Sequence, residues 1–95
     1  MSFSYSEITS RKNEKIIWAS KLSDKKRRDS EGVFFTDGSK LLEEAILSCL
    51  NIRKIFFTSK ALDNYKELLE KANAQEYFLL SDDVFEKLTD ESAPQ

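Results

Sequence analysis

Apolar residues along this chain fall into short continuous runs separated by helical spacings. Val33-Phe34-Phe35-Thr36, preceded by Gly32, is one β-prone run, and Ile55-Phe56-Phe57-Thr58, entered from Lys54, is a second. Glu76-Tyr77-Phe78-Leu79-Leu80 is a third. Between the first two, Leu41, Leu42, Ala45, Ile46, Cys49 and Leu50 recur at helical intervals. Between the second and third, Leu62, Tyr65, Leu69 and Ala72 mark one face of a helix that Ser59 can cap. After the third run, Ser81 caps a last helix. Asp82 and Asp83 suit its positive end, and Val84, Phe85 and Leu88 turn inward.

The amino-terminal third is patterned more weakly. Residues 1–8 read as a flexible tail, followed by one domain over 9–95. Thr9 or Ser10 can cap a first helix from about Arg11 to Leu22, with Ile17, Trp18 and Leu22 as a partial apolar stripe. Ser23 to Glu31 is charged and aperiodic, so it reads as a loop or frayed helix end. The order is then α followed by β-α-β-α-β-α. Runs that are apolar throughout are buried on both faces, which calls for a mainly parallel sheet between two helical layers. Three strands make a thin sheet, and a further strand is expected beyond Gln95.

A chain of 95 residues, 40% hydrophobic and 34% charged, fits one soluble domain. No apolar run approaches the roughly 20 residues of a membrane span, and the first twelve residues hold no signal-peptide core. The expected location is the cytoplasm. Cys49 is the single cysteine and histidine is absent, so neither an internal disulfide nor a structural zinc site can be built, and the commonest general base is missing. Cys49 reads as a small core residue.

The net charge of −2 hides an asymmetry. Residues 1–28 carry eight Lys/Arg against three Asp/Glu, and residues 29–95 carry seven against fourteen. A polyanion responds to such local charge. Arg11, Lys12, Lys25, Lys26, Arg27 and Arg28 are candidate phosphate contacts, and Arg27 and Arg28 could fork onto phosphate oxygens. Trp18 could stack on a base, with burial against the sheet the favoured reading. Thr36-Asp37-Gly38-Ser39-Lys40 lies where a strand gives way to a helix. Gly38 would admit a close approach and Lys40 adds a charge, although the turn matches neither a Walker loop nor a dinucleotide fingerprint. The paired acids Glu43-Glu44, Asp82-Asp83 and Asp90-Glu91 point away from one another on their helices and define no acid–base pair. With no catalytic or metal constellation, binding is the better class.

One further observation joins these signals. Ile8-Thr9-Ser10-x-x-Asn13 precedes a helix. Then come Lys25 to Arg28, the stretch Gly32 to Ala45, two later strands, Lys87-Leu88-Thr89-Asp90 and a closing Pro94-Gln95. In this order they resemble the N-terminal substrate-binding domain of the SpoU/TrmH family of RNA 2′-O-ribose methyltransferases. The resemblance implies a three-layer α/β/α sandwich similar to the ribosomal-protein superfamily that binds kinked RNA. It implies structured RNA, tRNA or rRNA, as partner. It also implies a knotted catalytic domain after Gln95 that binds S-adenosylmethionine and forms a homodimer; neither cofactor site nor catalytic residue is expected in this chain. Asp37 stands where the family often has glutamate, and Lys40 where it often has arginine. The kinked-RNA relatives' Gly-x-Asn-Glu turn is here Gly38-Ser39-Lys40-Leu41, which argues against a kink-turn binder. Two rivals stand beside this reading: a free-standing RNA-binding protein of the same superfamily, and a protein-interaction module.

Overall fold

A computed structural model describes residues 4–22, 25–36, 40–47 and 51–92. Its elements are β1 (Ser6–Ile8), α1 (Glu14–Ser20), α2 (Lys25–Glu31), β2 (Val33–Thr36), α3 (Lys40–Leu47), β3 (Lys54–Thr58), α4 (Ser59–Ala72), β4 (Glu76–Leu80) and α5 (Asp82–Ser92). The four strands form one parallel sheet in the order β1-β4-β3-β2. From β1 the chain crosses the whole sheet to β2, then returns strand by strand through β3 to β4. Right-handed crossovers running in opposite directions must use opposite faces. Accordingly α1 and α5 pack on one face and α3 and α4 on the other.

Alternation along the strands feeds the two cores. Val33, Phe56, Phe78, Ile8 and Leu80 face α1 and α5, where Ile16, Ala19, Leu22, Val84 and Leu88 meet them. Phe34, Ile55, Phe57 and Tyr77 face Leu42, Ala61, Leu69 and Ala72. Phe56 stacks on Phe78 with ring centroids 4.9 Å apart, and Phe35 meets Phe56 edge-on at 5.7 Å. The Tyr77 hydroxyl donates to the Leu69 carbonyl and accepts the Ala74 N–H, tying α4 to the strand that follows it. Burial pushes that phenol above its ordinary pKa.

The second half of the chain follows the apolar pattern closely, with one shift. Thr58, the last residue of β3, caps α4 by accepting the Ala61 N–H; Ser59 is the first helical residue and not the cap. At α5, the Ser81 carbonyl accepts the first helical bond from Phe85, while its hydroxyl donates to Asp83. The first half departs more. Ser6–Ile8 lie inside the stretch read as a tail, yet they form β1, paired through Ser6↔Phe78, Glu7↔Leu79 and Ile8↔Leu80. The additional strand thus comes from the amino end. Helix α1 is shorter than expected and is capped by Asn13, whose side chain accepts the Lys15 N–H. Ser10 instead holds the turn before it, accepting the Lys12 N–H on its hydroxyl and the Asn13 N–H on its carbonyl. The inward stripe is Ile16, Ala19 and Leu22; Ile17 and Trp18 point outward.

The segment 23–31, read as a loop or frayed helix end, contains α2. It has no apolar side chain of its own. Arg28 anchors it: the guanidinium donates to the Leu22 carbonyl at 3.0 Å and lies 5.0 Å from the centre of the Phe35 ring. Gly32 ends the helix in the left-handed region at φ 71°. A Cβ there would stand 2.6 Å from the Asn51 carbonyl oxygen, so only glycine fits without displacing backbone. The Gly32 carbonyl accepts the N–H groups of Arg53 and Lys54, aligning the entrances of β2 and β3.

Candidate nucleic-acid interface

A parallel sheet gathers the first residues of its strands at one edge and their last residues at the other. Here the two edges differ in charge. At the amino edge Lys54 and Glu76 are register partners on the face beneath α1. The Lys54 ammonium bonds the Glu76 carboxylate at 2.5 Å and lies 5.7 Å from the centre of the Trp18 ring. Lys54 holds the Glu76 carboxyl below its ordinary range, mainly through this hydrogen bond; the charges of Lys54, Lys15 and Arg53 add to the effect. Arg53 also lies 3.9 Å from Glu31. Trp18, with the Lys54 ammonium over its ring, is 39% exposed, next to Ile17 at 42%; Lys15 and Arg53 lie near the Glu76 carboxylate that holds Lys54.

At the carboxyl edge, β3 is followed by α4 on one face and β4 by α5 on the other. This divergence opens the crevice where α/β sheets commonly take ligands. A groove of about 650 Å³ lies there, bounded by Thr58, Ser59, Lys60, Asp63 and Asn64 on one side and by Asp82, Phe85, Glu86 and Thr89 on the other. A smaller hollow of about 230 Å³ adds Glu7 and Thr9. Carboxylates outnumber the single lysine, the wrong sign for a phosphate backbone. Among the described residues no cluster of acids, cysteine or histidine is arranged to hold a metal ion.

The candidate cations are divided by the fold. Lys12, Lys26 and Arg27 are exposed in the α1–α2 region, where Lys25 begins α2. Arg11 is drawn to Asp83, 3.5 Å away at the start of α5, and helps the Ser81 hydrogen bond to lower that carboxyl's pKa. Arg28 is committed to Leu22 and Phe35 and serves the fold. Lys40 is exposed but starts α3, in the opposite helical layer. Gly38, with Asp37 and Ser39, lies outside the described residues, as does Cys49. The fold therefore keeps Lys12, Lys26 and Arg27 together in the α1–α2 region, engages Arg11 and Arg28 elsewhere, and sets Lys40 in the other layer. Trp18, expected against the sheet, is a surface residue. Arg53 and Lys54 went unnoticed because they lie far from the basic segment in sequence. Only the register of β3 beside β4, with α1 above, brings Lys54 to Trp18 and sets Arg53 near Glu76.

The fold is a small parallel α/β/α domain with a lysine over a surface tryptophan at one edge of its sheet. The chain belongs to the MRM3-like substrate binding domain family, whose model matches residues 13–95. It is thus a substrate-binding domain of the SpoU type of methyltransferase, and RNA is the substrate class that this membership indicates. No curated protein and no solved structure matches the chain.

Proposed function

We propose that this domain docks structured RNA, tRNA or rRNA, and presents it to a ribose 2′-O-methyltransferase. Family membership supports the substrate-binding role. The physical observation that carries the reading is the charge of the α1–α2 region. Residues 11–31 hold eight Lys/Arg against four Asp/Glu, with Lys12, Lys15, Lys21, Lys26 and Arg27 all exposed. Such residues position a phosphate backbone and carry little sequence information. S-adenosylmethionine is proposed as the cofactor of the associated catalytic domain. A cytoplasmic location and a homodimer formed through the catalytic domain belong to the same proposal. No described helix is long and apolar enough to cross a membrane.

The test is RNA affinity as a function of salt for the chain and for its Lys26→Glu/Arg27→Glu variant. If both residues touch phosphates, log K against log salt flattens by about 2, and binding at low salt weakens roughly tenfold or more. An identical slope and affinity would remove these residues from the interface.

A further inference from the structure

We propose that Trp18 is a stacking platform for an unpaired nucleotide, at the amino edge of the sheet and opposite the carboxyl-edge groove. This rests on the RNA-binding reading but adds a subsite and a preference: single-stranded or looped RNA over a blunt duplex. Three observations carry it. A tryptophan in a helix with a ready inward stripe would ordinarily contribute to the core, yet Ile16, Ala19 and Leu22 take that role and leave Trp18 39% exposed. One face of the ring is held by the Lys54 ammonium, 5.7 Å from its centre and itself fixed by Glu76, so a base would stack on the opposite face with little side-chain freedom lost. The neighbouring charges suit a nucleotide. Arg53 and Lys15 stand close enough to Glu76 to depress its pKa, and both are exposed. A base on the indole would leave its phosphates within an electropositive margin, the arrangement by which single strands are held without sequence readout. A duplex offers no free base face and gains only the charge component.

Trp18 is the only tryptophan in the chain, so its emission reports on this site alone. The experiment titrates the chain with a short fluorescein-labelled single-stranded oligoribonucleotide. Tryptophan emission and fluorescein anisotropy are followed in parallel, with a blunt duplex of the same sequence and inorganic polyphosphate as comparison probes. Saturable quenching by the single strand, over the same concentration range as the anisotropy change and absent with polyphosphate, is the expected result. Trp18→Ala should weaken single-strand binding by about fivefold to hundredfold, the range set by loss of one base–aromatic stack. Arg53→Gln should weaken it while leaving the emission quenchable. Binding by anisotropy with unchanged emission overturns the platform and leaves the RNA-binding reading standing. Absence of binding by either signal overturns both. A concentration-dependent blue shift without RNA assigns the indole to a contact between copies and overturns the platform as well.

Discussion

The two edges of the sheet are made by the same strands yet are opposite in character. The carboxyl edge has the cavity: α4 and α5 diverge there, and Asp63, Asp82 and Glu86 line the opening. The amino edge has Trp18 and the cations Lys15, Arg53 and Lys54. In most doubly wound sheets shape and charge coincide at the carboxyl edge. Here they are separated, and for a polyanionic partner charge decides, since three carboxylates repel phosphates wherever a hollow is available.

The comparison can be broken most severely at Gly32, which aligns the amino edge. Gly32→Ala places a methyl against the Asn51 carbonyl in a left-handed backbone and should cost about 3 kcal/mol by chemical denaturation. A cost below about 0.5 kcal/mol would show that the edge relaxes freely. Next in size is charge. Lys15→Glu with Arg53→Glu should lower RNA affinity about tenfold and flatten the salt slope. Asp63→Asn with Glu86→Gln, at the other edge, should change affinity less than about threefold, and upward. Filter binding at two salt concentrations decides which edge matters. If the groove variant proves the more damaging, the assignment of the edges is reversed.

The smallest effect concerns Glu76. Its carboxyl titrates lower in the folded chain than in the unfolded one, so its pairing with Lys54 stabilises above the unfolded carboxylate range and fades as pH falls through the folded value. The pair is partly exposed, with side-chain exposures of 23% for Lys54 and 47% for Glu76, so its worth is below about 1 kcal/mol. The gap in urea midpoint between the chain and Glu76→Gln should be present at neutral pH and close in acid. A gap that widens on acidification would contradict the pairing.

Much of this fold was legible because buried parallel strands announce themselves as unbroken apolar runs. Val33–Thr36, Lys54–Thr58 and Glu76–Leu80, with the helices between them, needed little more. Elements without such runs were missed for identifiable reasons. β1 is an edge strand of three residues, only one of them buried, so it carries almost no pattern. α2 owes its place to Arg28 and Gly32 rather than to an apolar face. In α1, Ile16-Ile17-Trp18-Ala19 is apolar at every position, and its inward phase cannot be read without knowing where the helix begins. Packing selects Ile16, Ala19 and Leu22 as the inward row, which turns Trp18 outward. The site suffered most, since a surface assembled from Lys15, Trp18, Arg53 and Lys54 has no signature in linear spacing.

The pairing of β1 with β4 bears on how the molecule comes to be made. Ser6 finds Phe78 only after nearly all the intervening chain has been synthesised. Until β1 docks, one margin of β4 presents bare amides and carbonyls, an open invitation to any other extended segment. A version trimmed to the family-matched span 13–95 would lack that guard and should be the more prone to aggregate.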